Sequence, residues 1–479
     1  MNHLSLAEGL RQNFSSVGQE HVFKFWKELN NEERAVFIRQ LQTVDLDELT
    51  CSWRDIQNGT KQPLSGLQKP QSVLPLNPRE NLTKFYKDLG EDILSQNKVA
   101  AFTVAGGQGT RLGHKGPKGT FKCTPIRGIS LFEQFAENLK FITKRFGHSP
   151  QWFIMTSEEN HLETESFLSQ NKYFGLNVNH IHLLRQGMMP VFDQEGKILL
   201  SEKNYLLMSP NGHGGSFRAL FNSGALKIME EEGIDHLSYF QVDNPLVHCL
   251  DPVFLGYHKH QNSEMSSKVV QKSGSNEKVG TFFEVNKKLH VLEYSDIPLE
   301  VSAQKTHDGE LFHNLGNIAI HLIERDFIKR IATAKNTHEN RLSYHGALKK
   351  ANHLDNSGNK LTPHQANAIK AETFVFDAIP LAQNASLMEV DRNEEFAPIK
   401  NADGQDSPFS SREMQLLRSS KWLRQVGIDQ PPRKMEISPE FAPSLTYFKE
   451  EISKLSLNPE LIKNEKIIFE KSGPKIVKT

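Results

Sequence analysis

Apolar residues follow two alternating patterns through the middle of the chain. Short continuous apolar runs, typical of buried strands, are separated by segments in which apolar residues recur every three or four positions, as in amphipathic helices. The runs predict strands at 99–105, 152–156, 180–184 and 236–242, and the helical spacing predicts helices at 81–96, 130–142, 158–168 and 216–232. This alternation predicts an α/β fold with a mainly parallel sheet and helices on both faces.

Residues 266–323 have a different pattern. Four short segments here are rich in β-branched and aromatic residues, and Asn286-Lys287-Lys288 between two of them is typical of a hairpin turn. The sequence therefore predicts an antiparallel insertion that covers a ligand. Its strands are expected at 268–271, 279–285, 289–294 and 317–322.

The two ends of the chain lack the alternation. Residues 1–60 are polar with helical spacing, and residues 62–78, rich in Pro, Gln and Ser, are typical of a linker. A helix at 411–425 precedes a tail rich in Pro and Lys. We therefore expect an N-terminal helical extension with a linker at 1–95, a central domain at 96–405 and a small C-terminal domain at 406–479.

Composition narrows the class of protein. The 479 residues contain 57 Lys and Arg against 57 Asp and Glu, so no net charge favours nucleic acid or an anionic membrane as a partner. Mean hydropathy is −0.51, and we find neither a run long enough to span a bilayer nor a signal segment. Three scattered cysteines argue against a disulfide framework. We expect a cytoplasmic globular protein, and the sequence does not indicate its oligomeric state.

The segment with the clearest chemistry follows the first predicted strand of the alternating region. It reads Val-Ala-Gly-Gly-Gln-Gly-Thr-Arg-Leu-Gly over residues 104–113 and is closed by Pro117-Lys118. Closely spaced glycines leave backbone amides free to approach a phosphate or a base. Arg111 and Lys118 add positive charge where nucleotide oxygens would need it. The loop therefore predicts a site for a nucleoside triphosphate.

Two better-known glycine loops do not fit. A P-loop requires Gly-Lys-Ser/Thr after four intervening residues, and no such string occurs. In the dinucleotide fingerprint Gly-x-Gly-x-x-Gly a helix should follow at once, but Gly107, Gly109 and Gly113 are spaced one residue too far. The next good helix begins only after Ser130. A nicotinamide-dependent dehydrogenase is therefore disfavoured.

Seven strings, in order, resemble the eukaryotic-type UDP-N-acetylglucosamine pyrophosphorylases, within the UTP-dependent sugar-1-phosphate uridylyltransferases. They cover about two thirds of the chain. They lie at 105–113, 186–190 (Gln-Gly-Met-Met-Pro), 210–215 (Pro-Asn-Gly-His-Gly-Gly), 242–244 (Val-Asp-Asn), 293–295 (Glu-Tyr-Ser), 316–319 (Gly-Asn-Ile-Ala) and 398–403 (Pro-Ile-Lys-Asn-Ala-Asp).

The resemblance implies a Rossmann-like nucleotidyltransferase domain of the GT-A-like type, with a central mixed sheet flanked by helices. It also implies an N-terminal helical extension and a small C-terminal domain. The implied reaction joins UTP to a sugar 1-phosphate with Mg²⁺ and releases pyrophosphate. Such chemistry requires cations and a metal rather than an activated protein nucleophile.

The resemblance also implies roles for individual residues. Arg111 and Lys118 would neutralise the triphosphate, chiefly the leaving pyrophosphate, and Lys400 would neutralise the incoming sugar phosphate. Gln186 would contact uracil, and the backbone of Gly212 would lie against the base. The other implied UTP-binding residues belong to the glycine loop: Ala105, Gly106, Gly107, Gly109 and Thr110.

A carboxylate and a set of polar residues complete the implied site. Asp243 follows a predicted strand, where open parallel sheets bind ligands, and a carboxylate there suits Mg²⁺ among phosphate oxygens. Glu293 and Asn317 would hydrogen-bond sugar hydroxyls, and Gly280 would let a strand backbone approach the sugar. His213 stands where many members of this family have Asn, near the acetamido group.

The substrate stays open between two sugars. N-acetylglucosamine 1-phosphate is preferred, but a His in this setting is more reminiscent of enzymes for glucose 1-phosphate, so a glucose or broad-range enzyme is the first alternative. A non-catalytic UDP-sugar-binding module is the second. His180-x-His182 and His258-x-His260 lack a further ligand at a fitting spacing, so we interpret them as surface or packed histidines.

Overall fold

The computed structural model describes residues 3–59, 66–334, 340–432, 434–455 and 466–477. The α-helices are α1 (His3–Ser16), α2 (Asn31–Gln42), α3 (Leu46–Asn58), α4 (Glu80–Ser95), α5 (Leu131–Phe146), α6 (His161–Gln170), α7 (Ser216–Asn222), α8 (Ala225–Glu231), α9 (Pro252–His260), α10 (Leu299–Ser302), α11 (Arg325–Ala332), α12 (Arg392–Glu395), α13 (Pro408–Gln425) and α14 (Leu445–Ser453). No helix in these ranges is long and apolar enough to cross a bilayer.

The strands are mostly short. They are β1 (Val73–Leu74), β2 (Val99–Val104), β3 (Trp152–Thr156), β4 (Ile181–Arg185), β5 (Met188–Pro190), β6 (Leu200–Glu202), β7 (Tyr205–Leu206), β8 (Met208–Pro210), β9 (His236–Gln241), β10 (Met265–Gln271), β11 (Thr281–Val285), β12 (Lys288–Leu292), β13 (Leu315–Glu324), β14 (His345–Lys349), β15 (His353–Leu354), β16 (Lys360–Leu361), β17 (Ala368–Glu372), β18 (Ala385–Glu389), β19 (Met435–Ile437), β20 (Lys466–Glu470) and β21 (Gly473–Val477).

The contacts divide the chain into two compact units, and neither is one continuous stretch. Unit 1 comprises Met1–Pro63, Gln186–Ala219 and Arg330–Leu381, and unit 2 comprises the remaining three segments, Leu64–Arg185, Leu220–Lys329 and Ala382–Thr479. This grouping does not follow the consecutive segments 1–95, 96–405 and 406–479, whose boundaries as domains stay a prediction. Sequence periodicity identifies helices and strands, but it does not show which distant segments of the chain pack together in one unit.

Unit 2 is built on one large mixed sheet. Its strand order is β1-β18-β10-β13-β9-β2-β3-β4, and all neighbours run parallel except β13, which is antiparallel to β10 and to β9. The central strands β2 and β3 are almost entirely buried, which explains their continuous apolar runs. The predicted α/β class with a central mixed sheet is confirmed.

The segment predicted as an antiparallel insertion at 266–323 is antiparallel, since β10 pairs with β13 and β11 with β12. Its first and last segments are β10 and β13, which are members of the main sheet. Only β11 and β12 form a hairpin, and the predicted turn is present because Asn286 and Lys287 both have positive φ, 50° and 64°. Strand pairing across long separations is not visible in local composition.

Two local predictions also need correction. The helix predicted at 216–232 is two helices, α7 and α8, separated at Gly224, whose φ is +82°. Within the linker predicted at 62–78, Val73 and Leu74 form the parallel edge strand β1, while residues 62–65 lie outside the described residues. A left-handed glycine inside an apolar pattern interrupts a helix that periodicity alone would continue.

Helices α4 and α9 of unit 2 approach each other unusually closely. A Cβ atom on Gly90 would lie 1.8 Å from the carbonyl oxygen of Pro252, and a Cβ atom on Gly256 would lie 1.8 Å from that of Tyr86. Asp251 caps α9 by accepting a hydrogen bond from the Val253 amide at 2.9 Å. The contact therefore brings backbone against backbone.

Unit 1 has its own hydrophobic core. Helices α1, α2 and α3 contribute Phe14, Phe37 and Leu49, and the middle segment contributes Phe192. The strands form two-stranded antiparallel sheets, β5 with β8, β6 with β7, β14 with β17 and β15 with β16. The helices predicted from the polar N-terminal spacing are confirmed.

Candidate active site

The glycine-rich loop leaves the carboxyl end of β2 and folds back on itself. Gly109 donates its amide to the Gly116 carbonyl oxygen at 2.9 Å, and Lys118 donates its amide to that of Gly107 at 3.1 Å. A Cβ on Gly109 would lie 2.7 Å from the His114 ring, so the turn requires glycine there. The loop is thus a closed structure that brings Lys118 beside Gly107.

A buried asparagine supports the start of this loop. The Asn160 side-chain amide donates to the carbonyl oxygens of Ala105, at 2.9 Å, and Gly107, at 3.3 Å. Asn160 is fully buried and precedes α6. Sequence analysis missed this residue, because nothing local links it to a loop more than fifty positions earlier.

Lys118 and Asp243 lie together at the carboxyl ends of neighbouring parallel strands. The Lys118 Nζ is 3.5 Å from the Asp243 Oδ2, and both side chains are mostly buried. Asp243 comes two residues after β9, which pairs with β2 in parallel. The structure thus places the predicted phosphate cation against the predicted metal ligand.

Lys400 is tied to the same place through the backbone. The Ile399 amide donates to the Asp243 carbonyl oxygen at 2.9 Å. Lys400 is the next residue in the chain, so this contact keeps its backbone near Asp243. Asn244 strengthens the link, because its side-chain oxygen accepts from the Ala397 amide at 3.0 Å. Lys400 Nζ lies 5.6 Å from the centroid of the Phe396 ring.

Further acidic residues, none of them predicted, surround this cluster. Burial raises the pKa of Asp406; Lys400 opposes the rise, and the nearby carboxylates of Glu277 and Asp243 add to it. Glu277 is itself paired with Arg392, at 2.6 Å between Oε1 and Nη2. The site therefore combines both signs of charge within electrostatic range.

Arg111 has a different environment. It lies in a short 3₁₀ turn, Thr110–Leu112, within the glycine loop and is exposed. It forms no ion pair with a described residue, and Thr110 is exposed as well. The structure places Arg111 on the loop but does not bring it into contact with Lys118 or Asp243.

The three predicted sugar-contacting residues of unit 2 meet at the base of the β11–β12 hairpin. The Asn317 amide donates to the Gly280 carbonyl oxygen at 2.8 Å. A Cβ on Gly280 would lie 2.9 Å from Val291 and 3.5 Å from the Glu293 carboxylate. The Asn317 side-chain oxygen accepts from the Ala319 amide at 3.0 Å, which fixes the orientation of this side chain.

The remaining predicted residues belong to unit 1. Gln186 donates its side-chain amide to the Gly212 carbonyl oxygen at 2.7 Å, which leaves the Gln186 Oε1 as an oriented acceptor. Gly212 has φ +80°, and a Cβ there would lie 2.3 Å from the Thr373 carbonyl oxygen. Gly214 donates its amide to that oxygen at 2.8 Å. Glycine is therefore required for the approach of this loop to Thr373.

His213 is held as a neutral ring in unit 1. The Val375 amide donates to its Nδ1 at 3.1 Å, and the ring stacks on Phe374 with centroids 5.3 Å apart. Burial lowers the pKa of His213 to about 4, and the neighbouring His345 lowers it further. Because Nδ1 accepts a hydrogen bond, the neutral ring carries its proton on Nε2 and presents a fixed donor.

Comparison with known proteins shows the family of the chain. Residues 55–454 match the family described as UTP--glucose-1-phosphate uridylyltransferase. The chain belongs to this uridylyltransferase family. The predicted family and nucleotidyltransferase class are confirmed.

Individual relatives carry a narrower name. The chain is 35% identical over 84% of its length to a Dictyostelium discoideum protein, "Probable UDP-N-acetylglucosamine pyrophosphorylase", of which it covers 85%. It is 34% identical over 87% of its length to the Saccharomyces cerevisiae UDP-N-acetylglucosamine pyrophosphorylase, of which it covers 91%.

A solved structure is similar as well. An Entamoeba histolytica protein that carries the provisional name UDP-N-acetylglucosamine pyrophosphorylase aligns with a TM-score of 0.71 and 33% identity. The alignment covers 79% of this chain and 96% of that one. The likeness extends to the fold of the uridylyltransferase family as well as to its sequence strings.

Proposed function

We propose that the chain transfers a uridylyl group from UTP to N-acetylglucosamine 1-phosphate, giving UDP-N-acetylglucosamine and pyrophosphate. The observation that carries this proposal is the Lys118–Asp243 pair, 3.5 Å apart, with Lys400 tethered to the Asp243 backbone. The two relatives above, at 35% and 34% identity, supply the choice of sugar.

The reaction needs positioning and charge neutralisation more than covalent help from the protein. An oxygen of the sugar phosphate attacks the α-phosphorus of UTP, and the bond from that phosphorus to the bridging oxygen of the β-phosphate breaks in line. The electron pair leaves with pyrophosphate. Fixed positive groups therefore act best where the leaving oxygens gather charge.

Lys118 is suited to the leaving pyrophosphate. Its side chain passes Gly107, with Cε 3.9 Å from the position that a Cβ on Gly107 would take, and amides of such a glycine loop are suited to a phosphate group. Arg111, exposed on the same loop, is free to neutralise the outer phosphates. Lys400 would neutralise the sugar phosphate, because the Ile399 amide holds its loop to the Asp243 carbonyl oxygen and the Lys400 amide donates to the Asp406 carbonyl oxygen at 2.7 Å.

Groups in unit 1 are suited to recognising neutral parts of the substrates. The Gln186 Oε1 is an acceptor for the imide N–H of uracil, since its amide nitrogen already donates to Gly212. The Nε2–H of His213 is a donor for an acyl or hydroxyl oxygen of the sugar. Neither role requires a charged side chain.

The donor set at Asp243 fits Mg²⁺. Its carboxylate is a hard oxygen ligand, only Oδ2 faces Lys118, and Oδ1 makes no hydrogen bond to a described residue. Mg²⁺ is typically held in proteins by one or two carboxylates together with phosphate oxygens. When bound, the ion would neutralise phosphate charge. We expect Asp243→Asn to raise the Mg²⁺ concentration for half-maximal activity by about tenfold, judged from the effect of losing one supporting group.

Two further statements belong to the proposal. The compartment we expect is the cytoplasm, because all three cysteines are free and buried, as suits a reducing environment. The substrates are UTP and a sugar 1-phosphate, and neither nucleic acid nor a membrane is expected as a partner.

One assay tests the activity. Purified protein is incubated with UTP, Mg²⁺ and either N-acetylglucosamine 1-phosphate or glucose 1-phosphate, and pyrophosphate release is measured. We expect the N-acetylated sugar to give the higher kcat/KM. A higher value with glucose 1-phosphate would replace the sugar by the alternative named above, and UTP binding without turnover on either sugar would favour the non-catalytic module.

A further inference from the structure

A second cluster, made of side chains that could bind a metal ion, lies in unit 2 at the start of β9, the end of the strand opposite to Asp243. His236 begins β9, and Glu324 ends β13, its antiparallel neighbour; the two residues are directly paired across the strands. His258 lies in α9. No other group of three such side chains converges in this way among the described residues.

The donor atoms converge on one point. The Nδ1 of His236 lies 3.2 Å from the Glu324 Oε1, and the Nε2 of His258 lies 3.5 Å from the same oxygen. All three donor atoms lie within 4.8 Å of one another. A tetrahedral metal with bonds of about 2.0–2.1 Å separates its ligand atoms by roughly 3.3–3.5 Å, so two separations already match.

Both imidazole nitrogens face the same carboxylate oxygen. The two histidines are buried, and the His236 Nδ1 and the His258 Nε2 lie 3.2 Å and 3.5 Å from Glu324 Oε1. One oxygen shared between two rings, at the long end of the hydrogen-bond range, satisfies each nitrogen only weakly. A metal ion held among the three groups would satisfy both nitrogens and the carboxylate at once.

A supporting layer orients one of the rings. The Nδ1 of His258 lies 2.7 Å from the Ser266 hydroxyl, which in turn lies 2.8 Å from that of Ser386. Metal-bound histidines are usually held in this way through their second nitrogen. The contact with Ser266 leaves the His258 Nε2 as the nitrogen that faces Glu324.

Glu324 supplies the negative charge. Its side chain is 32% exposed, unlike the two rings. The carboxylate therefore gives the cluster an opening to solvent for a fourth ligand.

We propose that His236, His258 and Glu324 bind a divalent transition metal, with Zn²⁺ the best match. Two imidazoles and one carboxylate plus a water is a known zinc ligand set, and the distances suit it. The site is separate from the proposed active site, because His236 begins β9 and Asp243 follows its other end, roughly 17 Å away along the strand at about 3.3 Å per residue. The metal would cross-link β9, β13 and α9.

The test measures binding of the metal itself by the full-length protein. Chelator-treated protein is titrated with Zn²⁺ by calorimetry in the presence of excess Mg²⁺, and with Co²⁺ followed by visible absorption. We expect one Zn²⁺ per chain and the strong visible bands of four-coordinate Co²⁺. His258→Gln and Glu324→Gln should each weaken Zn²⁺ binding by at least about tenfold.

His260→Gln is the matched control, because His260 ends the same helix but is exposed. It should bind Zn²⁺ as the wild type does. Absence of one-to-one Zn²⁺ binding by the wild type would overturn the proposal, as would unchanged affinity in both ligand variants. Circular dichroism checks that the variants fold. If a variant does not fold, the Zn²⁺ titration and the Co²⁺ spectrum of the wild type still test the proposal.

Discussion

The two groups of candidate site residues use opposite chemistry. In unit 2, the cluster of Lys118, Asp243 and Lys400 consists of charged side chains at the ends of strands and on tethered loops. In unit 1, Gln186, Gly212 and His213 offer a neutral amide, a backbone approach and a neutral imidazole. The contrast predicts that substitutions in the charged cluster lower kcat, whereas substitutions among the neutral groups change KM and the preference between sugars.

Among these substitutions, Lys118→Ala should have the largest effect on activity. Removing one preorganised charge from the leaving group should lower kcat by about 100- to 1,000-fold, with a smaller change in KM for UTP. The measurement is steady-state pyrophosphate release. Lys115→Ala is the control, because Lys115 is exposed on the same loop, and its kcat should be unchanged. Equal losses in the two variants would contradict a specific role for Lys118.

Gly212→Ala should destabilise unit 1 rather than alter charge. Strain of the backbone, together with the contact to the Thr373 carbonyl oxygen, should lower the free energy of unfolding by about 3 kcal/mol. Gly224→Ala has a similar φ, +82°, but a left-handed helical ψ of 4° instead of 169°, with open space around the new methyl group, and should cost only about 1 kcal/mol. Denaturant unfolding compares the two, and equal losses would show that neither the backbone conformation nor the contact makes glycine more necessary at 212 than at 224.

Gln186→Ala should change affinity more than rate. Loss of the oriented acceptor should raise the KM for UTP about tenfold, the value of one good hydrogen bond, and leave kcat within a small factor. Gln365→Ala, at an exposed position of unit 1, is the control. A fall in kcat with unchanged KM would show that Gln186 contributes to the rate, as expected for the charged cluster, and not to UTP affinity.

His213→Asn should have the smallest effect. If the imidazole limits use of the N-acetylated sugar, the ratio of kcat/KM values should move toward that sugar by about fivefold, the scale of a single neutral hydrogen bond. In the wild type, this ratio should not change with pH above about 5, because the lowered pKa of about 4 means that His213 gains a proton only in more acidic solution. A ratio that titrates near neutral pH would show a different state of the ring.

The sequence predicted those parts of the structure that short segments determine. The strand before the glycine loop, the positions of Lys118 and Asp243 after neighbouring strands, and the turn at Asn286 follow from local patterning. Asn160 and Glu277 were missed because their importance comes from partners far along the chain. The site roles stay predictions until variants are measured.

Two features that the sequence did not reveal have the same physical origin. The segments that became β10 and β13 resemble any short β-rich stretch, so periodicity could not show that they pair within the main sheet. His258 was predicted to be a packed or surface histidine, and it is packed, but its spacing from His260 could not show that it lies beside His236 and Glu324. Local spacing describes which side of an element a residue occupies, but tertiary contacts decide what it meets.

The distance between α4 and α9 in unit 2 is set by contacts between their backbones. At Gly90 and Gly256 the two backbones are separated by hydrogen atoms alone, so one added methyl group at either position would force the helix axes apart. Gly256 precedes His258 by only two residues. The position of the His258 imidazole therefore depends on how closely α9 packs against α4. A larger residue at Gly90 would displace α9 and move this imidazole, although Gly90 is far from His258 in the sequence.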